Sequence, residues 1–95
     1  MNWLAPLLKP STMQDIFDQF RKLFPLSKVI VNDTDMRYRF RNLVTAQYFE
    51  SMAQEIILAN GLPVTAELEV WKKNGVVFEM QIVVEMVPEE YLVVR

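Results

Sequence analysis

Three arginines, Arg37, Arg39 and Arg41, alternate with Met36, Tyr38 and Phe40 in the stretch MRYRFRN. In an extended strand, period-two alternation sends the guanidinium groups to one face and the apolar side chains to the other. Alternate strand residues stand ~6.6 Å apart, near the spacing of phosphates along a nucleic-acid strand. The planar guanidinium fork suits phosphate, and it suits carboxylate equally well. Two chemistries are therefore open to the row: phosphates of a nucleic acid, or glutamates of this protein or another.

Other reactive side chains are scarce. The sequence has no cysteine and no histidine. That removes disulfides, thiolate metal sites and thiol nucleophiles, and also the commonest general base and metal ligand. A catalytic reading would need two carboxylates of displaced pKa in a pocket. The expectation is a noncatalytic chain without cofactor or metal, with a carboxylate-based enzyme or small-ligand binder as the alternative. Asn32, Asp33 and Asp35 offer oxygens, but the glycine and distal glutamate of a calcium loop are absent at the required spacing, so they read as a turn.

The elements that must position the row follow from periodicity and stop signals. Ser11 and Gln14 fit an N-cap and its capping box, with Asp15 in the first turn. Met13, Ile16, Phe17, Phe20, Leu23 and Phe24 then recur at helical spacing. Pro25 ends this helix. A strand over 28–31, a turn at 32–35 and a strand over 36–42 form a hairpin. A second helix spans 45–60, with the stripe Phe49, Met52, Ala53, Ile56, Ile57 and Asn60. Gly61 suits the left-handed position after it. Leu62 then contacts Ile57, and Pro63 blocks continuation.

Two more strands follow, over 64–72 and 76–87. Asn74-Gly75 is the signature of a two-residue turn, but that register sets Val70 against Glu79. A three-residue loop, Lys73-Asn74-Gly75, pairs Val70 with Phe78 and Leu68 with Met80, and the apolar pattern favours it. It also sets Glu69 against Glu79, a like-charge conflict that an adjacent arginine strand relieves. Tyr91 to Val94 supply a short fifth strand or a tail that pairs with another chain.

The expected fold is α+β in the order α-β-β-α-β-β: two helices packed on one face of a four- to five-stranded antiparallel sheet, all in one domain of 95 residues. Residues 1–10 are of uncertain structure. A ferredoxin-like arrangement is open if residues 2–8 supply a first strand. The helices require an apolar sheet face, so Met36, Tyr38 and Phe40 point inward and the arginines lie on the open face. This disfavours an RNA-recognition strand, in which the aromatics face the RNA. Glu67, Glu69, Glu79 and Glu85 share the open face, and the arginines chiefly answer these glutamates in the same or a sister chain. Trp71, Val77 and Val83 share it too, unless residues 2–8 fold across them.

The functional expectation is a small protein-protein interaction module, an accessory protein acting as a homodimer or as a subunit of a larger assembly. It docks through the open sheet face or a sheet edge. The candidate partner-binding residues are Arg37, Arg39, Arg41, Trp71, Val77, Glu69 and Glu79. The partner is another protein or a second copy. Nucleic acid bound by the arginine row is the runner-up, although the net charge is −2. No stretch approaches the ~18 apolar residues of a membrane span, and MNWLAPLLKP lacks a basic n-region. No membrane partner is expected, and the expected location is the cytoplasm, or the host cytoplasm for a viral chain.

Overall fold

Thr12 caps the first helix, α1 (Met13–Leu23). Its hydroxyl accepts from the Asp15 N–H at 3.1 Å, and the Asp15 carboxylate accepts from the Thr12 N–H at 3.3 Å. The capping box is real but sits one residue later than the Ser11–Gln14 pair, and Asp15 closes it. This is a computed structural model that describes residues 12–88. Ser11, the segment 2–8 and Tyr91–Val94 lie outside the described residues.

The remaining elements are β1 (Val29–Val31), β2 (Asp35–Phe40), α2 (Leu43–Asn60), β3 (Val64–Lys73) and β4 (Val76–Met86). Asn42 caps α2 by accepting from the Thr45 N–H at 3.0 Å, so this helix begins two residues before Thr45. Its first turn carries Leu43 and Val44, which are exposed and therefore invisible to an apolar stripe. The far end follows expectation. Gly61 has φ 60°, its N–H bonds the Leu58 carbonyl, and the Leu62 N–H bonds the Ile57 carbonyl at 3.1 Å. That is the Schellman pattern, and Leu62 and Ile57 belong to one core cluster.

The strands form one antiparallel sheet in the order β1-β2-β4-β3. Both β2 and β3 are antiparallel to β4, so they run parallel to each other, and α2 carries the chain across. The last strand therefore fills the interior position between β2 and β3. In a ferredoxin-like sheet the first strand fills that position. The described sheet has the ferredoxin-like layout with its first strand moved to the end, so residues 2–8 are not needed to complete it.

Both helices cover one face. Ile16, Phe17 and Phe20 from α1, with Phe24 just past its end, meet Met36 and Tyr38 from β2, Ile82 and Val84 from β4, Val64 and Ala66 from β3, and Ala53 and Ile57 from α2. An aromatic chain joins the layers. Phe24 lies 5.0 Å from Tyr38 and 6.0 Å from Phe49, both edge-on, and Phe49 stacks on Phe40 at 5.7 Å. Each large side chain buried here contributes roughly 1.5–3 kcal/mol. Leu23, on the expected stripe, is 39% exposed, and Phe24 beyond the helix end takes the buried place. Among the described residues no helix is long and apolar enough to cross a membrane.

The β3–β4 register corrects the sequence reading. Asn74 (φ 52°) and Gly75 (φ 79°) form a two-residue turn, with Lys73 opposite Val76 and Lys72 opposite Val77. The register then shifts between Trp71 and Lys72, because Phe78 is an extra residue on β4. Beyond this bulge Trp71 opposes Glu79, Val70 opposes Met80 and Leu68 opposes Ile82. The turn is the one its Asn-Gly signature favours, and the bulge restores the apolar face that the turn alone would lose. Glu69 faces Gln81, so the expected Glu69–Glu79 conflict does not arise.

Candidate functional site

Two features concentrate exposed apolar surface and unpaired charge at one end of the sheet. The first is the hairpin end. β2 stops with Phe40 opposite Met80, so among the described residues Val76 to Glu79 have β3 on one side and no strand on the other. This two-stranded arm carries Val76, 66% exposed, and Phe78, 63% exposed, with Val77 also exposed and Val70 exposed at its base. Its basic residues are Lys72 and Lys73, just before the turn.

The second feature is a corner where β2 leaves the sheet. Lys28, Arg39, Phe40, Arg41, Phe78 and Glu79 line a concavity of about 530 Å³. A smaller one of about 180 Å³ adjoins it, sharing Lys28, Arg39 and Phe40 and adding Leu26, Tyr38 and Phe49. The corner exists because β1 ends at Val29 on one side and the bulge displaces Phe78 on the other.

The arginine row divides along its length. Arg37 contacts the Asp35 carboxylate at 3.2 Å and that of Glu69 at 3.6 Å, and donates to the Gln81 amide oxygen at 3.0 Å. Arg39 makes a two-pronged contact with Glu79, at 2.8 and 3.2 Å. Each arginine reaches diagonally to β4, past its direct partners Val83 and Gln81. Gln81 also donates to Glu79 at 3.0 Å. Arg41 lies one residue beyond β2, and has no ion-pair partner among the described residues. The next position along the same diagonal of β4 is Val77, which carries no acid.

The titration behaviour matches. Arg39 holds the Glu79 carboxyl below its ordinary range by hydrogen bonding, Gln81 adds to this, and the charges of Arg39 and Arg41 act in the same direction. The Glu79 contact in turn raises Arg39. Exposed pairs of this kind contribute only ~0–1 kcal/mol each, so they fix register more than they stabilise. Arg37 and Arg39 are thus answered within the chain, which leaves Arg41 as the member of the row open to a phosphate or carboxylate from elsewhere.

The open face is less open than its sequence suggests. Val83 lies on it between Arg37 and Glu67 and is only 4% exposed, and Trp71 is half-buried. Val77 is not on this face. The bulge pairs it with Lys72, in phase with Val70 on the helix side. Of the expected docking residues, Arg37, Arg39, Glu69, Glu79 and Trp71 share the open face, Arg41 lies at the corner, and Val77 belongs to the arm. Phe78, Val76 and Lys28 were missed. Phe78 was assigned an inward place opposite Val70, and only the bulge turns it into the most exposed aromatic of the sheet.

Edge docking is closed on one side. The Leu68 N–H on the outer edge of β3 donates to a Glu50 carboxylate oxygen at 2.7 Å, and the Ala66 carbonyl accepts from the Gln54 side chain at 2.9 Å. Glu50 and Gln54, one turn apart on α2, occupy backbone groups that an added strand would need. At the opposite edge, β1 is three residues long. Among the described residues no three acidic side chains converge as metal ligands would. No protein-family model, characterised protein or solved structure matches the chain.

Proposed function

We propose that the chain is a small noncatalytic protein-binding module, a homodimer or a subunit of a larger assembly, that docks through the hairpin arm and the basic corner beneath it. The observation that carries this is the arm itself: Val76 and Phe78 stand 66% and 63% exposed on a strand whose neighbour has ended. Apolar side chains this exposed, next to an arginine and to strand backbone unpaired among the described residues, have the composition of an interface centre. Leu43, Val44 and Tyr48, exposed on the first turns of α2 just after Arg41, enlarge the apolar surface available. Trp71 and the Arg37–Glu69 and Arg39–Glu79 pairs support the arm from the open face. The absence of cysteine and histidine favours binding over catalysis.

Comparing the wild type with Phe78→Ser tests the reading. Self-association is measured by light scattering, and partner capture by affinity pull-down, with circular dichroism as the control for folding. Docking through the arm predicts a folded variant that has lost association or capture. A folded variant that retains both overturns the reading.

A further inference from the structure

Uncompensated positive charge gathers where β2 ends. Lys28, Arg39 and Arg41 line the corner with one acid, Glu79, which Arg39 already binds. Lys28 and Arg41 have no ion-pair partner among the described residues. Lys72 and Lys73, just before the turn of the arm, add to the positive field. Charge complementarity therefore calls for an anion. Phe40 and Phe78 stand among these charges, and the adjoining cleft of about 180 Å³ adds Leu26 and Phe49. The surface suits an anion that also carries apolar groups.

A polypeptide meets these demands better than a phosphate backbone. Among the described residues the β4 edge from Val76 to Glu79 has no strand beside it, because β2 has ended. Strand backbone presents both donors and acceptors, and a second peptide main chain answers both. A phosphodiester backbone offers acceptors alone. The charge is also limited. A nucleic-acid track usually neutralises several phosphates, yet away from the corner the open face continues with Glu69, Glu67 and Glu85. The four residues from Val76 to Glu79 span ~13 Å at strand rise, the length of a short added strand. The outer edge of β3, which would otherwise compete for a strand, is occupied by Glu50 and Gln54. Every described acid of this chain lies on a helix, on a strand already paired, or in the β1–β2 turn. The described part of a second copy therefore offers no extended acidic segment, and another protein is under no such restriction.

We infer that the arm and corner take an extended acidic segment of another protein, which adds as a strand along β4 from Val76 to Glu79 and sets its carboxylates on Lys28 and Arg41. Alternate residues of an added strand share a face, so the segment carries acids two apart with apolar residues between them. This rests on the arm being the docking surface and names the chemistry of its partner.

A fluorescein-labelled peptide, Glu-Val-Glu-Phe-Glu-Val, is the probe. It is titrated with the full-length protein and followed by fluorescence anisotropy at low and moderate salt. It should bind, and more weakly as salt rises. Arg41→Glu and Lys28→Glu, each checked for folding by circular dichroism, should weaken binding at least ~10-fold, because a charge-assisted contact becomes a repulsion. The same peptide with Gln for every Glu should lose as much. Two further versions, one N-methylated at its glutamates and one at its apolar residues, keep every side chain. Only one set of amides can face β4, so one version should bind at least ~10-fold more weakly than the other. A wild type that does not bind the peptide at low salt, charge variants that bind it normally, or methylated forms of equal affinity would each overturn the inference. So would a short oligothymidylate that binds more tightly than the peptide, with steep salt dependence lost in Arg41→Glu, since the ligand would then be a phosphate backbone. Self-association of the wild type that Arg41→Glu abolishes would overturn it too, by making the occupant a second copy. If Phe78→Ser abolishes association or capture while the wild type does not bind the acidic peptide, docking through the arm survives and the acidic partner is excluded. If Phe78→Ser has no effect and the peptide does not bind, both fall.

Discussion

Along β3 from Val64 to Leu68 and along β4 from Met80 to Met86, alternate side chains enter the core beneath the helices. A few residues further along the same two strands, at Lys72, Lys73, Val76 and Phe78, no described residue covers them. The two stretches share hydrogen-bonded pairing, strand direction and a similar supply of apolar residues. Among the described residues they differ in what lies alongside: β2 and α2 in the body, and neither at the arm. Apolar composition alone therefore does not distinguish core from docking surface here. The boundary is the bulge at Phe78, which sits where β2 ends. On one side of it alternation records folding. On the other, Val76 and Phe78 stand exposed among the described residues, and they carry the proposed function.

The largest expected effect tests the body. Phe20 is fully buried and packs 5.3 Å from Phe24 and 6.2 Å from Tyr38. Phe20→Ala should lower unfolding free energy by roughly 3–5 kcal/mol, a large part of the whole margin of a domain this small. Phe78→Ser should change it by no more than ~0.5 kcal/mol. Denaturant melts of the two variants side by side measure the contrast. Comparable losses would mean that the arm is part of the cooperative core.

Tyr38 sharpens the contrast from the opposite direction. It is 1% exposed, and its hydroxyl has no hydrogen-bond partner among the described residues. Burial pushes its pKa up to about 12 from 10.0. A phenol that resists ionisation when folded contributes stability that is full below pH 10 and is lost as the pH climbs toward 12. Tyr38→Phe keeps the ring contacts and removes the orphaned hydroxyl. It should gain about 1 kcal/mol at neutral pH and flatten the alkaline part of the stability profile. A loss of stability at neutral pH would show that the hydroxyl has an unseen partner.

What the sequence makes legible follows from what periodicity can encode. Apolar alternation fixes which face a strand residue takes, and it assigned Met36, Tyr38, Ile82 and Val84 to the core correctly. It is blind to a slip of two residues, which preserves every face. The expected pairing of Leu68 with Met80 is off from the observed Leu68–Ile82 by that amount. The Asn74-Gly75 turn signal and the apolar pattern conflicted, and a bulge satisfies both; choosing between loop lengths left no place for it. The Schellman ending at Gly61 was legible because its signals are local. Closure of the β3 edge by Glu50 and Gln54 was not, since it depends on where α2 lies across the sheet. Arg39–Glu79 pairing was legible as a class of contact, but its register was not. Arg41 without an acid could be found only once the β2–β4 register was placed.

Deleting Phe78 tests the boundary itself. The two-residue turn with Lys72 opposite Val77 and the body register with Trp71 opposite Glu79 differ by this one residue. Its removal should give an unbroken ladder, with the body register intact and stability within ~1 kcal/mol of wild type. Cross-strand contacts measured by NMR across Lys72–Val77 and Trp71–Glu79 would become consecutive. A shifted body register instead would mean that the bulge is not what reconciles turn and core.

The smallest effect lies at Glu79, where body and arm meet. Its carboxyl is held below the ordinary 4.5, chiefly by the Arg39 hydrogen bond and then by Gln81. For a depressed carboxyl the stabilisation is present above pH 4.5 and drains away as the pH falls through the lower folded value. Because its partner Arg39 is exposed, the change is small and best read as a difference. Glu79→Gln should melt slightly below wild type at neutral pH, and the two curves should converge as the pH drops below 4.5. Asp18, lowered by Arg21, titrates in the same region in both proteins and cancels in the comparison. A gap between the curves that stays constant with pH would mean that the Arg39–Glu79 contact holds register without adding charge-dependent stability. Arm and body would then be joined by backbone pairing alone.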